Sequence, residues 1–141
     1  MILEKGDMFS IFNETDHFII TTNSTVKKNG ALVMGAGIAK QVRDRWHGVD
    51  VKLGSQIEHM GKYGLIVGKK LGIFQVKRFY GDSASLELID YSTSMLYDFA
   101  TCHSDKRIDL NYPGIGNGKL EKSEVEPIIS VLPDNVHVWE F

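Results

Sequence analysis

Val33-Met34-Gly35-Ala36-Gly37-Ile38-Ala39-Lys40 is the stretch on which the reading of this chain turns. A second glycine cluster, Pro113-Gly114-Ile115-Gly116-Asn117-Gly118, repeats its character. Each stands between an apolar, strand-like run and a helix-like run. Glycine lets backbone N–H groups approach a ligand closely and adopt positive φ. A helix N-terminus adds unsatisfied N–H donors and a partial positive charge. Two such loops in one small domain are the expected way to hold a diphosphate without many Lys or Arg. The plainer reading of either cluster is a tight strand-to-helix turn; two clusters in similar contexts weigh against it.

Outward from the loops, strands alternate with helices. His17-Phe18-Ile19-Ile20-Thr21-Thr22 reads as a buried strand, short and β-branched. Residues 37–47 read as a helix with Ile38, Val42 and Trp46 on one face. Residues 51–60 give a weaker helix. Residues 64–68 and 72–77 read as a hairpin around Lys69-Lys70-Leu71. Residues 85–103 form the longest helix, capped by Ser85, with Leu86, Ile89, Thr93, Leu96 and Ala100 as its core stripe. Residues 107–111 are a strand entering the second cluster. Ser123 and Glu126 match a capping box opening a helix whose stripe is Val125, Ile128, Ile129 and Leu132. Pro127 falls early enough to be tolerated. Residues 136–140 close the chain as a strand. This order predicts an α/β layered domain with a largely parallel sheet. Ligands of such sheets bind beyond the carboxyl ends of the strands.

The 141 residues fit one domain, 1–141, with ordinary globular composition at 43% hydrophobic and 24% charged. A net charge of −2 argues against general nucleic-acid binding or a membrane surface. The one cysteine, Cys102, fits a reducing compartment. With no signal peptide and no spanning run, a cytoplasmic protein is expected. Neither glycine loop fits a familiar nucleotide motif. Lys40 stands where a dinucleotide fingerprint wants Gly or Ala, and Gly114 to Lys119 is one residue short of a P-loop, with Leu120 in place of its Ser or Thr. The five histidines show no metal-ligand spacing, so neither a metal nor a cofactor is expected.

Three side chains carry open alternatives. Asn23 and Asn29 flank the polar stretch Ser24-Thr25-Val26-Lys27-Lys28; an amide suits ribose hydroxyls, while Asn29-Gly30 is also a common turn pair. Lys77 ends an apolar strand, where it suits a phosphate, a general acid or an amine nucleophile, or is simply an exposed edge lysine.

Taken together these residues resemble the macrodomain family, the ADP-ribose-binding α/β/α fold, and in particular its branch of terminal ADP-ribose glycohydrolases, ADP-ribose 1″-phosphate phosphatases and DNA ADP-ribosyl glycohydrolases. The resemblance spans nearly the whole chain. Lys5-Gly6-Asp7-Met8 is similar to the family's opening Gly-Asp-Ile/Leu element, which implies that Asp7 meets the adenine amino group beside Met8. Asn29 through Ala39 resembles the loop that wraps the distal ribose. Phe74-Gln75-Val76-Lys77, with Ser85-Leu86-Glu87 after it, is similar to the family's Phe-Pro-Thr-Lys strand and following helix. Residues 113–118 resemble the diphosphate loop, and Trp139 falls where relatives place an aromatic ring near adenine.

The polar insert lengthens the approach to the first loop, so Asn23 or Asn29 takes the distal-ribose role. The insert and the Val33–Lys40 motif resemble phage-encoded members. Leu120 occupies the position where some glycohydrolase relatives carry Asp, with Glu121 one residue on. The resemblance implies a three-layer α/β/α sandwich with a central mixed, mostly parallel sheet. It implies an enzyme that binds ADP-ribose and hydrolyses a bond at C1″ of the distal ribose without a metal. Its substrate is ADP-ribose joined to phosphate, a small molecule, a protein or a nucleic acid. Asn29, Lys77 and Glu121 are the catalytic candidates. Asp7, Met8, Asn23, Met34, Gly35, Ala36, Gly37, Ile38, Pro113, Gly114, Ile115, Gly116, Asn117, Gly118 and Trp139 are the binding candidates. The alternative is a non-catalytic reader of ADP-ribose or a related nucleotide, which Leu120 favours and Lys77 disfavours.

Overall fold

Short β-branched runs and amphipathic stretches alternate along the chain, and they pair as that order predicts. The computed structural model describes residues 1–60 and 63–141. Its strands are β1 (Ile2–Lys5), β2 (His17–Thr22), β3 (Leu65–Val67), β4 (Leu71–Gln75), β5 (Ile108–Asn111) and β6 (Val136–Glu140). Its helices are α1 (Gly37–Arg45), α2 (Val49–Met60), α3 (Leu86–Cys102) and α4 (Lys122–Ile129). The strands form one six-stranded sheet in the order β1-β6-β5-β2-β4-β3. Helical crossovers make every neighbouring pair parallel except the β3–β4 hairpin, whose short connection forces it antiparallel.

β2 lies between β5 and β4, and Phe18, Ile19 and Ile20 have no exposed area. Their side chains alternate between the two faces. Phe18 and Ile20 join Ile38 and Val42 of α1 and Leu53 and Ile57 of α2 in one apolar cluster. Ile19 joins Ile89 and Leu96 of α3 and Val125 and Ile129 of α4 in the other. The result is the expected three-layer α/β/α sandwich with a mixed, mostly parallel sheet.

Several details depart from the pattern reading. β1 and a 3-10 turn at Met8–Ile11 escape it, because β1 is an edge strand with Ile2 and Leu3 largely exposed and shows no apolar alternation. α1 stops at Arg45, and Gly48, at φ +83, separates it from α2. α4 starts two residues early: Glu121 is its N-cap and Glu124 its box partner, with the Glu121 N–H donating to Glu124 Oε1 at 3.1 Å, so Ser123 and Glu126 are not the box. Carboxylates at N-cap and N3 fill both roles once Lys122 is helical. Ser85 caps α3 as expected, accepting from the Leu88 N–H at 3.2 Å. The first glycine cluster follows an isolated bridge, Val26 to Leu32, rather than a strand of the sheet. The second follows β5 and forms a 3-10 turn, Gly116–Gly118, before α4.

Candidate functional site

The parallel strands β2, β5 and β6 end side by side, and the chain leaving β4 joins them. Beyond these carboxyl ends lies a cavity of about 710 Å³, lined by Thr21 and Thr22 of β2, Asn111 and Tyr112 of and after β5, Trp139 and Glu140 of β6, and Val76 and Lys77 after β4. Met34, Gly35, Ala36, Gly37 and Ile38 form one wall; Gly114, Ile115, Gly116, Asn117 and Gly118 form another. The walls close on each other at one rim, where a Cβ on Gly37 would stand 2.9 Å from Asn117 Nδ2. Gly37 at φ +58 and Gly116 at φ +67 hold the left-handed backbone that glycine permits.

Ala36 is the N-cap of α1 and offers no side-chain acceptor, so the first-turn N–H groups of α1 are left uncapped where residues 36–39 line the cavity. Uncapped N–H groups and the positive end of a helix suit an anion. Tyr112 also lines the cavity. Burial, with Glu126 and Glu140 adding to it, pushes its phenol above the usual range and keeps it protonated. Thr21 and Asn111 lock together: Asn111 Oδ1 accepts from the Thr21 N–H at 2.8 Å and Asn111 Nδ2 donates to Thr21 Oγ1 at 2.8 Å.

Lys77 is half-buried at the end of β4's extension, and its Nζ donates to the Asp82 carbonyl at 3.0 Å. Asn23 is buried at the cavity edge. Its Nδ2 donates to the Val33 carbonyl at 2.9 Å and its Oδ1 accepts from the Thr25 N–H at 3.0 Å. One hydrogen and one lone pair of that amide stay available. Trp139, 6% exposed, is held by Asp109, whose Oδ1 accepts from Nε1 at 2.7 Å.

Five candidates do not line this cavity. Asp7 caps the 3-10 turn at Met8–Ile11, accepting from the Phe9 N–H at 3.0 Å, and Met8 is wholly buried. Asn29 closes a turn, its Oδ1 accepting from the Ala31 N–H at 3.0 Å. Pro113 is buried between β5 and the second loop. Glu121 caps α4, and Leu120 packs on the apolar cluster beneath α3. Thr21, Thr22, Tyr80, Asn111, Tyr112, Glu140 and Phe141 line the cavity without having been singled out. The signal for Thr21, Thr22 and Asn111 was present: polar residues ending apolar strands that point at a glycine loop. Among the described residues no three His, Cys, Asp or Glu side chains gather as a metal would require.

No family model matches the chain, and no curated protein matches it. Solved structures do. Thermosipho africanus DarTG in complex with ADP-ribose superposes with a TM-score of 0.75 at 18% identity, over 99% of this chain and 41% of that one. The chain thus spans well under half of that protein's length. The macrodomain of Mycobacterium tuberculosis DarG gives a TM-score of 0.72 at 21% identity, over 99% and 98% of the two chains. The macrodomain of Thermus aquaticus DarG gives 0.66 at 18% identity, over 98% and 95%.

The fold is the macrodomain fold.

Within this macrodomain fold, Lys77 is the one Lys or Arg among the described residues lining the cavity, and Glu140 the one acidic side chain. Glu140 is itself paired with Lys122. Among the described residues a bound anion would therefore be met chiefly by backbone N–H groups, with the Lys77 ammonium beside them.

Proposed function

We propose that the chain binds ADP-ribose in this cavity and hydrolyses a bond at C1″ of the distal ribose. The observation that carries this reading is the convergence of two glycine walls, one of them the uncapped start of α1, on a cavity where Lys77 is the one Lys or Arg among the described residues. The ADP-ribose bound to Thermosipho africanus DarTG supports it. The backbone N–H groups of residues 35–38 and 116–118 hold the diphosphate, and the Trp139 side lies toward adenine. Asn23, rather than Asn29, orients the distal ribose, because Asn23 lines the cavity and Asn29 is spent on its turn. Lys77 exchanges the Asp82 carbonyl for the atom leaving C1″. As the C1″ bond breaks, Lys77 gives that atom a proton, and water adds its oxygen to C1″ and releases a proton to solvent. Glu121 takes no part in this reading, since it is the N-cap of α4 and does not line the cavity. Phe79 and Tyr80, 52% and 53% exposed with ring centroids 4.6 Å apart and planes tilted by 39°, each offer an aromatic face near Lys77 in sequence that suits stacking by a base in the acceptor.

The second reading, a binder without turnover, is favoured by one observation: among the described residues no acidic side chain other than the paired Glu140 lines the cavity. Calorimetry with ADP-ribose and AMP, followed by turnover of ADP-ribose 1″-phosphate and of ADP-ribosylated amino acids and nucleotides, separates the two. ADP-ribose is expected to bind at micromolar Kd, about −8 kcal/mol, and AMP far more weakly. Equal binding of AMP would remove the glycine loops from the site. Lys77→Ala should lower turnover by about two orders of magnitude and affect binding less. Tight binding by the wild type with no turnover on any C1″-linked substrate would establish the binder.

A further inference from the structure

The start of the polar insert Ser24 to Lys28 makes its side-chain hydrogen bonds to the loop that carries Lys77. Ser24 Oγ donates to the Lys77 carbonyl at 3.1 Å, and the Ser24 N–H to the Arg78 carbonyl at 3.2 Å. Thr25 Oγ1 uses both of its capacities on the same loop: it donates to the Arg78 carbonyl at 3.1 Å and accepts from the Tyr80 N–H at 3.0 Å. A turn closes on itself, whereas these bonds reach 53 and 55 residues along the chain. On the opposite side the same segment holds the start of the first glycine wall. The Val33 N–H donates to the Thr25 carbonyl at 2.9 Å, and Asn23 Nδ2 donates to the Val33 carbonyl at 2.9 Å. Residues 23–25 therefore join the first glycine wall, which carries the uncapped N–H groups, to the loop that carries Lys77.

We infer that Thr25 is a positioning residue: it sets the loop from Lys77 to Tyr80 at a fixed distance from the first glycine wall, so that Nζ of Lys77 is presented to a ligand held there. The inference rests on the proposed occupancy of the cavity by ADP-ribose. Its physical content is a spacing. Hydrogen bonds from the Thr25 hydroxyl to the backbone of two residues of the lysine loop, Arg78 and Tyr80, act on where Lys77 stands, and neither involves the Lys77 side chain. A displacement of about 1 Å at a reacting group costs far more in rate than in affinity. Both bonds of Thr25 Oγ1 are exposed, so their loss leaves no buried polar group unpaired.

Thr25→Val removes the donor and the acceptor with little change of shape, and Thr25→Ser keeps both. Two readouts are taken on the wild type and both variants. The first is steady-state release of ADP-ribose from a C1″-linked substrate. The second is acetylation of Lys77 by a water-soluble acylating reagent, quantified by peptide mass spectrometry with and without saturating ADP-ribose. Thr25→Val should lower kcat about tenfold or more, with KM within about twofold and the melting temperature close to that of the wild type. In it ADP-ribose should also cease to protect Lys77. Thr25→Ser should behave as the wild type in both. Wild-type kcat with undiminished protection in Thr25→Val would overturn the inference, as would equal damage in Thr25→Ser. If the wild type binds ADP-ribose without turnover, the hydrolytic reading fails and the protection of Lys77 alone decides for or against Thr25. If the wild type binds no ADP-ribose, the reading of the cavity falls and the role of Thr25 falls with it.

Discussion

Asp109 lies in the middle of β5 with no exposed area, and both of its oxygens are used. Oδ1 accepts from Trp139 Nε1 at 2.7 Å and from Arg107 Nη2 at 3.1 Å, and Oδ2 from Arg107 Nε at 3.0 Å. A buried carboxylate needs such partners, and Arg107, about a third exposed, supplies the charge. The arrangement fixes the indole ring that lines the cavity. Asp109→Asn keeps the shape but turns an amide donor toward one of the two donors. It should lower stability by about 1–3 kcal/mol, the cost of an unmatched buried polar group. Urea unfolding measures this, and an unchanged midpoint would show that the trio is slack. Nothing in Arg107-Ile108-Asp109-Leu110-Asn111 marks Asp109 as buried, since alternation with Ile108 and Leu110 predicts a polar, solvent-facing side. Only the neighbouring β6, which brings Trp139 alongside, makes that face interior.

α2 rests closely on the turn that ends the polar insert. Leu32 N–H donates to the Asp50 carbonyl at 2.9 Å, and a Cβ on Gly54 would come within 2.0 Å of the Gly30 carbonyl oxygen. The obstacle is backbone and cannot rotate away. Alanine ordinarily favours a helix interior over glycine by about 1 kcal/mol. Here Gly54→Ala should do the reverse: a lower melting temperature, and weaker ADP-ribose binding, because the displaced turn leads into the first glycine wall. Thermal unfolding with calorimetry tests both parts, and a melting temperature raised by alanine would refute the close approach. The helix pattern of residues 51–60 was legible in the sequence. That one of its faces carries a glycine because another backbone passes there was not, since no local rule records a contact across twenty-odd residues. The same holds for Glu121, which α4 takes as its cap once the second loop delivers the chain at that angle.

At the scale of the whole molecule, His17 links the sheet to α3. It opens β2, its ring meets Phe99 edge-on at 5.0 Å, and its buried Nδ1 has no hydrogen-bond partner. Burial lowers its pKa below the ordinary 6.5; Asp16 opposes this, while His103 and Lys106 add to it. The folded state therefore favours the neutral ring. Above pH 6.5 both folded and unfolded chains carry it neutral, and the contribution is fully present. As pH falls through 6.5 the unfolded chain takes up the proton first, so stability declines until the lowered folded value is passed. The melting temperature should fall between pH 7 and pH 5, and His17→Phe should flatten that part of the curve; an equally steep curve in the variant would assign the slope elsewhere. Periodicity and glycine placement alone determined the layered α/β order, the strand 17–22, the long capped helix and the two loops, because these depend on neighbours within a few residues. Tertiary structure alone decided that Asn23 reaches the cavity while Asn29 closes a turn, that Glu121 serves a helix rather than the site, and that the polar insert grips the loop of Lys77. Each of those outcomes depends on which distant strand ends arrive side by side, and the parallel sheet, by bringing β2, β4, β5 and β6 to one edge, is what selects them.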